Sequence, residues 1–293
     1  MHVLRAGFRH ASVIALLFAC GSCMRATPAA QRGLIATAPP ADSVTILLWP
    51  MDETGGDRAA DAGRNRIDAI AGQDTRIDFG RYRNARVFDE SVESFLYAPY
   101  GPSLDSPLAL TVEAWIYPTG YGDFEDTPIV GRWTETPNGQ SWLFSVVGRR
   151  PRLVTALVQS PGYHLLLTQA GGVGRLMFAI QPEEASLPLV TFSTQQIDLE
   201  RWTHVAVTFD GRLVRFYVDG RLDAQFALGA RIRSSQAPIL AGNYFDTRWL
   251  TDFGGTLRVG GTVDRNPYYA FRGRIDELRI SRVARTEFPT AGR

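Results

Sequence analysis

Arg201-Trp-Thr-His-Val-Ala-Val-Thr-Phe-Asp-Gly-Arg-Leu-Val-Arg-Phe-Tyr-Val-Asp-Gly220 is the stretch on which the fold turns. Val205, Val207 and Phe209 alternate with Ala206 and Thr208, the period of two that a half-buried strand needs. Asp210-Gly211 follows, and Asp-Gly between alternating runs predicts a type I′ hairpin turn. Leu213–Val218 reads as the return strand. Asp219-Gly220 turns the chain again, and Leu222–Phe226 supplies a third strand. The stretch is an antiparallel meander. Both aspartates read as turn residues, because Asp bonds to its own local backbone.

On either side, short β-prone runs recur between Gly, Pro, Asp and Asn: Val44–Trp49, Leu110–Tyr117, Ser141–Val147, Arg152–Val158, His164–Thr168, Leu176–Ile180, Thr256–Val259 and Arg274–Ile280. No stretch of twelve residues carries a helical stripe. Many short strands with turn signals between them indicate a sandwich or a barrel. The chain has 293 residues, 45% of them hydrophobic and 21% charged, enough to bury a full core. Every basic residue is Arg, so clusters such as Arg149, Arg150 and Arg152 say little about a site.

The N-terminus reads as an address. Arg5, Arg9 and His10 precede the apolar run Ala11–Ala19, the pattern of a signal peptide over residues 1–19. The run is too short to span a bilayer. Leu17-Phe18-Ala19-Cys20 resembles the lipobox of bacterial lipoproteins, which makes Cys20 the expected lipidation site, with Phe18 departing from the usual small or β-branched residue. Cys20 and Cys23 are the chain's two cysteines, and their CxxC spacing lacks the second ligand pair or βαβ context of a zinc or redox site. The expectation is an exported chain lipid-anchored in the cell envelope, in the outer membrane if the source is Gram-negative. Residues 20–43, rich in Ala, Pro, Thr and Ser, read as a flexible tether to a domain over 44–293. Without Arg5 and Arg9 the chain has 29 basic and 30 acidic residues. That balance carries no footprint for nucleic acid.

The meander resembles the signature of laminin-G-like jelly-roll domains, a Trp-x-His-Val-Ala strand, an Asp-Gly turn and then Tyr-Val-Asp-Gly. Further pieces agree in order: Trp49–Glu53 leading to Asp61-Ala-Gly63 and Asn65, Gly80 through Ala85–Asp89, Leu110–Pro118, Leu257–Gly261 and Phe271–Ile280. The resemblance spans roughly residues 44–285 and is weakest over 134–200. It implies an all-β fold: a two-sheet antiparallel jelly-roll sandwich of the concanavalin A-like class, with first and last strands adjacent.

Trp115 and Trp202 sit on alternating strands and read as core residues, and His204 reads as a packed, hydrogen-bonded one. Asp52, Asp61, Asn65 and Asp276, with Asp68 beside them, are oxygen donors of the kind calcium accepts. The implied fold brings the opening loop and closing strand together, so a structural Ca²⁺ is the one cofactor expected. Aromatics in predicted loops are candidates for stacking on sugar rings: Tyr121 and Phe124, Tyr244, Phe245 and Trp249, and Tyr268, Tyr269 and Phe271. The competing reading is that they cap the core.

The concanavalin A-like class also contains glycoside hydrolases, which need paired carboxylates across the scissile bond. The Glu-x-Asp-x-x-Glu pattern of its laminarinase-type members is missing, as are Gly-x-Ser-x-Gly, His-Glu-x-x-His and the Walker A loop. The expected function is a non-catalytic binding module for a glycan or a surface protein. The alternatives are an adhesive lipoprotein working by protein contact, and a hydrolase.

Overall fold

The computed structural model describes residues 38–121, 126–134, 138–148, 172–245, 247–253, 256–260 and 268–290. These fall in one compact unit, Ala36–Arg293. Cys20, Phe124 and the expected strands at 152–158 and 164–168 lie outside the described residues.

The described residues form twenty strands. The first half is β1 (Thr45–Trp49), β2 (Arg58–Ala59), β3 (Ala69–Ala71), β4 (Arg76–Phe79), β5 (Asn84–Phe88), β6 (Leu96–Ala98), β7 (Leu110–Pro118), β8 (Asp126–Trp133), β9 (Gln140–Val147) and β10 (Arg175–Ile180). The second half is β11 (Leu189–Gln196), β12 (Thr203–Phe209), β13 (Leu213–Val218), β14 (Arg221–Ala227), β15 (Ile239–Ala241), β16 (Asn243–Phe245), β17 (Leu250–Phe253), β18 (Thr256–Val259), β19 (Tyr268–Ala270) and β20 (Gly273–Ser281). One eight-stranded sheet runs β14-β13-β12-β7-β20-β5-β4, with β1 also paired to β20. The other runs β11-β10-β9-β8-β15-β6-β3-β2. Two ribbons, β16-β19 and β17-β18, complete the described strands.

The expected meander is β12-β13-β14, and the expected neighbours β1 and β20 pair from Thr45↔Ser281 to Trp49↔Leu278. One turn differs from expectation. Asp219 and Gly220 both take positive φ (48° and 77°) and join β13 to β14 as a two-residue turn of the expected I′ kind. The Asp210-Gly211 turn takes a third residue, Arg212, and Asp210 keeps a negative φ. Its carboxylate accepts the N–H groups of Arg212 and Leu213, which lengthens the loop by tying the side chain into it.

Strand alternation explains the packing. Val112, Ala114 and Ile116 on β7, Val205, Val207 and Phe209 on β12, and Ile275, Leu278 and Ile280 on β20 face Trp142, Phe144, Val146, Leu176, Phe178 and Ile180 of the other sheet, inside one core. The second sheet is apolar on its other face too. Leu143, Val147, Met177, Ala179 and Leu240 form a second cluster with Phe245, Tyr244 and Tyr269 from the β16-β19 ribbon. Trp115 and His204 are buried as expected, but outside the inter-sheet core. They project from the opposite face of the first sheet, where Arg81 lies 4.7 Å over the Trp115 ring and Tyr82 meets its edge. Trp202, half-buried, packs against Tyr117 on the same face.

Candidate functional site

The opening loop and the closing strand meet, but the four candidate metal ligands fall into two groups with different work. Asp61 is buried and its carboxylate organises the loop: Oδ1 accepts the N–H of Leu48 (2.9 Å) and Gly63 (2.7 Å), and Oδ2 that of Ile67 (2.9 Å). Asn65 donates its amide to the Ile46 carbonyl at 2.6 Å, and Asp68 accepts the Asp61 N–H at 2.8 Å. These side chains spend their polarity stitching the loop to β1. Asp276 is different. It is fully buried at a bulge in β20, where the pairing with β7 slips between Asp276 and Arg279 and Glu277 takes φ 52°. Its Oδ2 accepts the Tyr82 N–H at 2.9 Å, and its Oδ1 has no hydrogen-bond partner. Burial first, and then the nearby Asp52 charge, push the Asp276 carboxyl up to about 7. Burial and then the charges of Asp276 and Asp52 push Glu277 up to about 8. Asp52 itself lies 3.6 Å from Arg83. Among the described residues no group of three His, Cys, Asp or Glu side chains is placed to hold a metal ion.

The candidate aromatics are dispersed. Tyr244 and Tyr269 stack on each other at 4.2 Å between ring centroids, both buried in the cluster over the second sheet. Phe245 and Phe271 are buried as well. Tyr121 leans against the core and donates its hydroxyl to the Ile197 carbonyl. These rings cap packed layers, which follows from ribbon strands lying over an apolar sheet face. The side chains of Trp249 and Tyr268 lie outside the described residues, although their backbones lie in the 3₁₀ turn Thr247–Trp249 and in β19.

A concave site does form, at one end of the second sheet. Tyr100 follows β6, Thr134 follows β8, Asn138 and Gly139 turn β8 into β9, Ser234–Pro238 lead into β15, and Thr247 opens the 3₁₀ turn. Antiparallel pairing of β15 with both β6 and β8 brings these loops to the same end. The cleft has a volume of about 520 Å³, within the rough range of ligand sites. Among the described residues, hydroxyls and carboxamides line it, with the aromatic ring of Tyr100.

Beneath the lining lies a buried ion pair. Arg132, on β8, has a side chain only 1% exposed, and its Nη1 donates to Asp105 Oδ1 at 2.6 Å. It also donates to the carbonyls of Leu104, Ser235 and Ala237, so one guanidinium fixes two of the cleft's loops. The same guanidinium lies 5.3 Å from the centre of the Tyr100 ring. Asp105 Oδ2 accepts the hydroxyls of Ser234 (2.7 Å) and Tyr100 (3.1 Å). Burial tends to raise the Asp105 carboxyl, but hydrogen bonds from Ser234 and Arg132 outweigh it and hold the group below its ordinary value. Asp105 is therefore ionised at neutral pH and balances Arg132. None of these residues stands out in the sequence. The one available signal is Ser234-Ser-Gln-Ala-Pro238, a polar run before a β-prone segment, which reads first as an ordinary loop.

Comparison with known proteins agrees with this architecture. Pappalysin-1 of Mus musculus is 26% identical over 160 residues, which are 50% of this chain and 9% of that protein, so the chain spans under a tenth of the relative's length. The binding domain of botulinum neurotoxin serotype G superposes with a TM-score of 0.54 at 13% identity, over 82% of this chain and 48% of that one. The binding domain of Paraclostridial Mosquitocidal Protein 1 gives 0.53 at 13%, over 82% and 49%. The binding domain of botulinum neurotoxin DC, in complex with SialylT, gives 0.53 at 9%, over 83% and 49%. At such identities the likeness is one of fold, and this chain spans about half of each. The model of the concanavalin A-like lectin/glucanases superfamily matches residues 92–258, more than half the sequence, and with the two-sheet sandwich it places this chain in that superfamily.

Proposed function

We propose that this chain is a non-catalytic carbohydrate-binding module of the cell envelope and that the cleft beside Tyr100 is its sugar site. The lining itself carries the reading. Ser, Thr, Asn and Gln side chains can both donate to and accept from sugar hydroxyls, and Tyr100 offers a ring edge or face to sugar C–H groups. The ring is pre-oriented by Arg132 and Asp105, so little ordering is lost on binding. A fold shared with solved binding domains supports a binding role. The test is a glycan array on the full chain, with Gln236→Ala as the variant, because Gln236 is exposed on the lining. Binding that weakens about tenfold, as expected for a lost pair of hydrogen bonds, with unchanged Tm supports the site. Unaltered binding in the variant removes the cleft from the proposal.

The export and anchoring expectations enter as part of the same proposal. Lipidation at Cys20 predicts partition with membranes and release by Cys20→Ser. Calcium narrows to Asp52 and Asp276. The unpartnered, buried Oδ1 of Asp276 suits a cation, which would supply a tie between the loop after β1 and β20. Added Ca²⁺ should raise the Tm of chelator-treated protein, and an unchanged Tm removes the ion from the reading. Adhesive protein contact is a second reading with one observation behind it. Both edge strands of the first sheet expose large apolar groups, Phe79 on β4 (78%) and Leu222 on β14 (56%).

A further inference from the structure

The cleft has an electrostatic character that selects among sugars. We infer that it binds neutral oligosaccharides and discriminates against those carrying a carboxylate or a sulfate. The inference rests on the proposed carbohydrate site and deepens it.

Three observations carry it. In a chain with 21% charged residues, none of the ten described residues lining the cleft is charged. Arg248, next in sequence to Thr247, is not among them. Arg132, which lies 5.3 Å from the Tyr100 ring on the lining, is committed. Its guanidinium spends four of its five N–H donors on three carbonyls and Asp105, and its side chain is only 1% exposed, which shields it from an anionic ligand. The anion of that pair is the more reachable partner. The Asp105 side chain is 25% exposed, and it holds the Tyr100 and Ser234 hydroxyls that border the cleft.

A sugar carboxylate entering here would lose water without gaining a charged partner, and it would approach the Asp105 carboxylate. Both effects disfavour it. A neutral sugar meets donors and acceptors that its hydroxyls can match. The hydroxyls of Tyr100 and Ser234, both lining residues, donate to Asp105, which leaves their oxygens to act as acceptors. The cleft therefore presents acceptors at these two positions and suits a ligand rich in O–H donors. An anionic group brings acceptors only.

The experiment is a binding titration of the full chain against matched pairs of oligosaccharides that differ only in an acidic group. A neutral chain and its uronic-acid counterpart make one pair, and an asialo glycan and its sialylated form make another. The expected result is binding of the neutral member at least about tenfold tighter than the acidic one, with a Kd that does not change between low and high salt. Gln236→Ala should weaken binding of the neutral member. Equal or tighter binding of the acidic member, or a Kd that rises steeply with salt, would overturn the inference and leave the carbohydrate reading standing. Binding of neither member, in any pair, overturns both.

Discussion

Asp105 holds Arg132, Tyr100 and Ser234 with two oxygens, and its removal should show what the cleft is built on. Asp105→Ala leaves a guanidinium buried without its counter-charge. Breaking a buried pair costs about 3–5 kcal/mol, and the lower end applies because Asp105 is partly exposed. Chemical denaturation should report that loss, whereas a loss below 1 kcal/mol would mean that the carbonyls alone satisfy Arg132. At the bulge in β20, Asp276 and Glu277 make stability depend on pH. Their carboxyls are raised, to about 7 and about 8. Between the ordinary carboxylate range and those values the folded chain holds protons that the unfolded chain has released. In chelator-treated protein, stability should therefore fall as pH rises from roughly 4 to 8. Asp276→Asn should flatten that part of a plot of Tm against pH, and an unchanged slope would contradict the assignment. At this scale the sequence told residue types but not company. Asp61 and Asp276 look alike as donors, and only the fold shows that one accepts three backbone N–H groups while the other has an oxygen left over.

The elements that turned on alternation were legible, because a period of two survives in the sequence whatever surrounds it. The pairing of β1 with β20 followed from the family resemblance. In the second sheet β9 and β10 were read, whereas the short β2, β3, β6 and β15 and the long β8 and β11 were not. β8 carries Pro128 and Gly131, with a register slip between Pro128 and Val130, and β11 ends in the polar run Ser193–Gln196, so neither shows a clean period. Gly242 sits where β15 passes into the ribbon, at φ 76°, and a β-carbon there would collide with the Phe88 ring. Gly242→Ala should cost about 1–3 kcal/mol through strain and overpacking. The segment after β20 is also an element, though not a regular one. Arg285 binds both oxygens of Asp42 at 2.8 Å, and Phe288 lies on Tyr217 at 4.6 Å and near His204 at 5.8 Å. His204 in turn contacts Glu113 at 3.2 Å. Phe288→Ala should cost about 1 kcal/mol and lower Tm by roughly 2–4 °C. No change in Tm would mean that the segment does not stay docked.

As a whole, the molecule is a sandwich whose second sheet is covered on both faces, by the first sheet and by the ribbon that carries Tyr244 and Tyr269. That covering decides where a ligand can go. The aromatics that stood out in the sequence are those that large apolar layers absorb, while the cleft is assembled from unremarkable polar residues on four separate loops. A site spread over residues 100, 134, 138–139, 234–238 and 247 leaves no local pattern, which is why it was not legible before the fold was known. The most direct test of the account is to map a bound neutral oligosaccharide on the full chain by chemical-shift perturbation. Saturable shifts are expected at Thr134, Asn138, Gly139 and Ser234–Ala237, with Tyr244 and Tyr269 undisturbed. Shifts centred on the ribbon at 243–245 and 268–270, with the cleft silent, would contradict it.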